Sequence, residues 1–216
     1  MKIILFGKPN SGKGSRLNEI QKKTKEPIPV LAAGDILRKE VGEGTEIGKL
    51  AEQYMSQGLL VPDEVINNMM INKIRQTQGV IVLDGYPRTV QQANAMLEAG
   101  EYPDIVIELY VDDEVALDRA KDRTVCKKCG RTYTIVNEGY RPKREGICDD
   151  CGSPLVRRKD DEPETARKRQ AVYAKDTYPV LDLMQAKGIE VITIDNSTED
   201  ASEEFEKLFL SVINKR

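Results

Sequence analysis

Residues Lys2 to Phe6 form an apolar run that passes straight into Gly7-Lys-Pro-Asn-Ser-Gly12-Lys13-Gly14-Ser15. A strand, a glycine-bounded turn, then a lysine and a hydroxyl at a helix start is the sequence form of a phosphate cradle. The first N–H groups of a helix have no internal partner, so they present themselves to an anion. Gly7 and Gly12 let the backbone approach oxygen closely. Lys13 adds a mobile point charge, and Ser15 can reach a Mg²⁺ shell. An ordinary glycine turn is the alternative, but the apolar strand before and the helical pattern after it favour the cradle. The hydroxyl follows Gly14 rather than the lysine, a departure from the general pattern.

Short apolar runs alternate with helical patterns along the rest of the chain. Ile3–Phe6, Val80–Leu83, Ile105–Tyr110 and Val191–Ile194 read as strands buried on both faces, with a shorter fifth near Ile28–Leu31. Helices are expected over Gly14–Lys23, Thr45–Gln57, Pro62–Gln76, Val90–Glu98, Asp113–Arg123, Pro163–Lys187 and Glu199–Asn214. Pro62 and Pro163 suit first turns, and Asp112 and Thr198 suit N-caps. The class is α/β: a P-loop NTPase-like parallel sheet flanked by helices, with ligands beyond the carboxyl ends of the strands. Two stretches break the rhythm. Residues 33–61 are mostly helical, and residues 124–160 hold all four cysteines.

The 216 residues suffice for one core with small insertions. A net charge of −3 argues against a general nucleic-acid or membrane-surface role. No leader or membrane span is legible, so a cytoplasmic location is expected. Histidine is absent. The commonest general base is therefore missing, and the chemistry rests on carboxylates, lysine, arginine, backbone and metal.

Cys126-Lys-Lys-Cys129 and Cys148-Asp-Asp-Cys151 form two knuckles. One tetrahedral Zn²⁺ or a pair of disulfides would use them, and a reducing cytosol favours the metal. With no ligand position open, the ion would be structural and would supply the folding energy of a lobe poor in apolar residues.

A second phosphate site is legible in Asp84-Gly85-Tyr86-Pro87-Arg88. An acid at a strand tip holds Mg²⁺ or caps a turn, and Arg88 can clamp a phosphate in bidentate fashion. The amides of Gln91 and Gln92 suit a base edge or a solvated helix face. Arg119 and Arg123 lie four apart, and Arg158, Arg167 and Arg169 follow the cysteine segment.

At these motifs the chain resembles the adenylate kinases of the long, zinc-lid type. The resemblance covers essentially all of the sequence. It rests on Gly7 to Ser15, Ala33-Gly34-Asp35-Ile36-Leu37-Arg38, Gly58-x-Leu60-Val61-Pro62-Asp63-Glu64, Asp84 to Arg88 with Gln91-Gln92, and Arg158-Lys-Asp160-Asp161 with Arg169. It implies a core of residues 1–29, 63–122 and 160–216, a helical NMP-binding insert over 30–62 and a zinc-bearing lid over 123–159. It implies reversible phosphoryl transfer from Mg·ATP to AMP in a monomer. Asn10, Ser11, Gly12, Lys13, Gly14 and Ser15 would wrap the ATP phosphates. Arg119, Arg123, Thr132 and Tyr133 would line the ATP side, with Thr198 at the base. Ala33, Arg38, Leu59, Leu60, Val61, Gly85, Tyr86, Pro87, Arg88 and Gln92 would hold AMP, together with Arg158 and Arg169. Lys13, Arg88, Arg123, Arg158 and Arg169 would stabilise the transferring group, with Ser15 and Asp84 near Mg²⁺ and Cys126, Cys129, Cys148 and Cys151 on Zn²⁺.

The chain departs from the family pattern at two places. Asn10 and Ser11 replace a more glycine-like pair, and asparagine tolerates a left-handed backbone. Ala32 and Ala33 stand where the AMP enzymes usually have Ser-Thr, and alanine beside the base resembles the UMP/CMP branch. A pyrimidine or relaxed acceptor is thus the alternative to AMP. A zinc ribbon reading nucleic acid is a second alternative, opposed by the acids interrupting its basic surface.

Overall fold

The computed structural model describes residues 1–134, 138–197 and 201–214. Five parallel strands form the main sheet: β1 Lys2–Phe6, β2 Val30–Ala32, β3 Ile81–Asp84, β4 Ile105–Tyr110 and β8 Glu190–Asp195, in the order β2-β3-β1-β4-β8. In register, Ile4 stands between Leu83 and Val106. Alternation along β1 sends Ile4 and Phe6 to one apolar layer and Ile3 and Leu5 to the other. The first layer packs under helices α4 (Asp63–Gln76), α5 (Val90–Glu98) and α8 (Pro179–Ala186), the second under α1 (Lys13–Lys23) and α9 (Ala201–Asn214). The continuous apolar character of these strands is the consequence of burial on both faces.

The segment after β2 is helical, as expected: α2 (Ala33–Glu43) and α3 (Glu46–Met55). Thr45 caps α3, its hydroxyl accepting from Gly48 N at 3.0 Å. The cysteine segment follows α6 (Asp113–Lys121) and forms a small antiparallel sheet of β5 Thr124–Cys126, β6 Thr132–Tyr133 and β7 Leu155–Val156.

The structure corrects three expectations. The helix expected over 163–187 is interrupted: α7 (Pro163–Val172) gives way to a π turn over Tyr173–Thr177 before α8. Pro179 has no N–H to donate to the preceding turn, and Tyr178 N donates to Tyr173 O at 2.8 Å across the wider turn. Helix α6 ends at Lys121, so Arg123 stands beyond it rather than on its face. Asp112 occupies the N-cap of α6 without capping it, because its carboxylate accepts from the Tyr110 hydroxyl at 2.9 Å. Thr198 and Glu199 lie outside the described residues. Among the described residues no helix is long and apolar enough to cross a membrane.

Candidate functional site

A cavity of about 1000 Å³ opens over the carboxyl ends of β1 and β3 and runs beneath the cysteine segment and the α2–α3 segment. Its floor is the loop between β1 and α1. Asn10 adopts the left-handed region at φ 65°, as its side chain allows. Gly12 does so at φ 94°, and a Cβ there would meet Asn196 Nδ2 at 2.5 Å. Lys13 Nζ donates to the carbonyls of Gly7 at 2.7 Å and Lys8 at 3.1 Å. Burial, with Arg88, Arg169 and Arg123 nearby and only partly offset by Asp84, lowers the Lys13 ammonium to about 8.

Across the cavity from Lys13 the arginines converge. Arg88 Nε donates to Gly85 O at 3.0 Å, which aims the guanidinium from a turn containing the cis Tyr86–Pro87 peptide. Arg38 pairs with Asp35, and Arg158 approaches the same carboxylate at 3.7 Å. Arg169 donates to Asp160 at 2.7 Å, and Arg123 makes a two-pronged contact with Asp161. Burial, with the neighbouring arginines adding to it, draws Arg158 down to about 10. Burial also draws Arg169 down to about 10, although Asp160 opposes it. Burial works against an ionised Asp160, yet Arg169, Arg38, Arg123 and Arg158 hold its carboxyl below the usual range. Lys13 and seven arginines line the cavity against the acids Glu19, Asp35, Asp84, Asp118 and Asp160, so it carries excess positive charge. Buried nitrogens Arg119 Nη1 and Arg158 Nε have no hydrogen-bond partner among the described residues. Unspent donors in a cationic recess suit a polyanion.

Most residues expected to bind nucleotide line this cavity, including Asn10, Gly12–Ser15, Ala33, Leu59–Val61, Gly85–Pro87, Gln92, Arg119 and Thr132. Two do not. Ser11 is fully buried under the loop, its carbonyl accepting from Asn196 Nδ2 at 2.5 Å. Tyr133 turns into the cysteine core, where its hydroxyl contacts Cys148 Sγ at 3.4 Å and accepts from Asp149 N at 2.7 Å.

Several supporting residues carry no local sequence signal. Asn196 also accepts from Arg16 Nε at 2.9 Å, and its carbonyl accepts from Arg119 at 2.7 Å. Tyr140 reaches from the cysteine segment to α1, accepting from Arg16 at 2.8 Å and donating to Glu19. These contacts span most of the chain and only the fold brings them together.

The sulfur atoms of Cys126, Cys129, Cys148 and Cys151 lie within 4.8 Å of one another, and all four are free thiols. The shortest pairs are Cys126–Cys151 and Cys129–Cys148, each at 3.4 Å. Tetrahedral Zn–S bonds place sulfurs about 3.8 Å apart, so the set fits one such ion. Hydrogen bonds from Ser153 draw the Cys151 thiol to about 6, toward the thiolate that a metal requires.

The adenylate kinase family model matches residues 5–189. The chain belongs to the adenylate kinase family. It is 41% identical over 215 residues to the adenylate kinase of Lachnoclostridium phytofermentans, covering 96% of each chain. It is 42% identical over 205 residues to that of Staphylococcus aureus, covering 92% of this chain and 93% of the relative. Against the Caldicellulosiruptor bescii adenylate kinase it is 40% identical over 199 residues, covering 89% and 90%. Family membership makes it a nucleoside monophosphate kinase, a phosphotransferase.

Proposed function

We propose that this chain moves the terminal phosphoryl group of Mg·ATP to AMP and back, giving two ADP. The observation that carries the reading is the convergence of Lys13, Arg88, Arg123, Arg158 and Arg169 on one cavity above the parallel sheet. Phosphoryl transfer needs in-line placement and charge neutralisation more than a proton-shuttling base. A chain without histidine is equipped for that.

The loop from Asn10 to Ser15 takes the donor phosphates on the amides at the start of α1, with Lys13 swinging from the Gly7 and Lys8 carbonyls onto the terminal group. Arg38 and Arg88 take the acceptor phosphate. Arg123, Arg158 and Arg169 hold charge on the phosphorus in flight, each aimed by an acid rather than by solvent. Arg119 and Thr132 border the donor side, and Ala33, Leu59–Val61 and Gln92 the acceptor side. Ser15 and Asp84 offer the oxygen donors that suit the Mg²⁺ carried by ATP, which neutralises charge on the phosphates. Water is kept from the phosphorus by closure of residues 123–159 and 30–62 over the core.

The four cysteines hold one structural Zn²⁺ in this reading. The molecule acts as a cytoplasmic monomer on small nucleotides, without nucleic acid or membrane. The comparisons give no support to a zinc ribbon or a pyrimidine kinase. A coupled assay of Mg·ATP against AMP, GMP, UMP and CMP tests it. AMP is expected to be the best acceptor. Turnover of none of them removes the reaction, and a preference for UMP replaces the acceptor.

A further inference from the structure

The Gln92 side chain is 2% exposed yet lines the acceptor end of the cavity. Both ends of its amide are engaged. Oε1 accepts from Arg88 N at 2.7 Å, and Nε2 donates to Asp63 Oδ1 at 2.8 Å. A backbone N–H only donates and a carboxylate only accepts, so both partners demand the same orientation of the amide. The other carboxylate oxygen of Asp63 accepts from the Thr89 hydroxyl at 2.9 Å, and Thr89 in turn caps α5 by accepting from Gln92 N at 3.0 Å. Asp63 is thereby fixed by the same helix whose glutamine it orients. One N–H and one oxygen lone pair of Gln92 remain for a ligand. Ala32 and Ala33, which line the same cavity, offer no hydroxyl to a base.

We propose that Asp63 is a positioning residue that locks Gln92 in one amide orientation. The acceptor site thereby takes bases bearing a ring-nitrogen acceptor beside an exocyclic amino group. Adenine and cytosine have that edge. Hypoxanthine, guanine and uracil present the reverse, a ring N–H beside an oxo group, and would set donor against donor and acceptor against acceptor. The inference rests on the acceptor role given to this end of the cavity under Proposed function, and it assigns the source of base choice there.

The test compares AMP with IMP, which differ in this edge alone, using Mg·ATP and the full-length chain with and without Asp63→Asn. An asparagine can donate as well as accept, so it no longer demands the Gln92 N–H and leaves Arg88 N as the one group that sets the amide orientation. The expected result is a fall of about tenfold in the AMP:IMP ratio of kcat/KM, carried by KM for AMP with kcat little changed. A loss shared equally by both acceptors, or an unchanged ratio, shows a purely structural role and overturns the inference while leaving the kinase reading intact. Failure of the unaltered chain to phosphorylate AMP overturns both. If the variant does not fold, ¹⁵N-glutamine labelling of the unaltered chain decides. One Gln92 amide proton, assigned through Gln92→Glu, is expected to exchange slowly, and free rotation of that amide excludes the lock.

Discussion

Arg123 and Asp161 form a buried, two-pronged ion pair, with Asp161 fully enclosed and Arg123 13% exposed at the side chain. The pair joins the exit of α6 to the start of α7 at the two ends of the cysteine segment. Removing one partner strands the other charge away from water. Asp161→Ala is therefore expected to cost about 3 kcal/mol in urea denaturation and to lower kcat through a misplaced Arg123. A variant as stable as the parent would mean that solvent reaches the arginine.

Arg88 is held by Gly85 and shares one cavity with Lys13, close enough to act on its charge. Arg88→Ala is expected to lower kcat/KM about a hundred- to a thousandfold with the circular dichroism spectrum unchanged. Near-normal turnover would take this clamp out of the chemistry.

Lys13 titrates near 8 in the folded chain, below its value of 10.5 when unfolded. Its charged form is what the donor phosphates need, so kcat/KM for ATP is expected to fall as pH rises through about 8. The stability of the ligand-free chain moves the other way. Between the two values the unfolded state binds more protons, so this group's contribution to stability rises with pH across that window. A kcat/KM profile flat through pH 8 to 9, or a thermal midpoint that drops there with no other group titrating, would contradict the assignment.

Asn196 ties Ser11 O to Arg16 Nε. Asn196→Ala leaves both without partners inside the protein, a loss of about 1–3 kcal/mol. Thermal shift is expected to register it, and KM for ATP is expected to rise more than KM for AMP. Equal effects on the two substrates would place Asn196 outside the donor side.

Metal removal acts on the cysteine segment. Its own apolar cluster is small, gathered about Cys126, Tyr133 and Cys148. A strong chelator is expected to make residues 126–151 the first site of limited proteolysis, while the five-stranded sheet keeps its protection. Unchanged protease resistance would show that the thiols need no ion.

The strands were legible because burial on both faces writes them as unbroken apolar runs, as in Ile105–Tyr110. The cysteine cluster was legible because two CxxC knuckles each hold a pair of thiols at fixed spacing. The break at Tyr173–Thr177 was not, since helical propensity continues through it and only the missing N–H of Pro179 marks it. The cationic side chains that meet in the cavity stood in motifs. Asp63 and Asp161 stood in motifs as well and Asn196 did not, but all three, Asp63 at Gln92, Asp161 at Arg123 and Asn196 at the phosphate loop, act through contacts between distant segments, which no local pattern encodes. Tyr133 shows the converse. The resemblance implied a ligand-facing role for it, and the alternation of a two-residue strand turned it inward.

The apolar layers on both faces of the sheet reach the cavity only at its carboxyl edge, whereas the charged groups of the cavity hang from the loops and helices above that edge. The two meet along one seam, where Ala33, Val61 and Tyr86 belong both to a buried layer and to the cavity wall, while Arg38, Asp63, Arg88 and Gln92 stand outside the buried layers. An exchange at position 63 or 92 touches the cavity wall while the buried layers of β1 and β4 stay whole. A designer seeking a new acceptor can alter this molecule's appetite without rebuilding its frame.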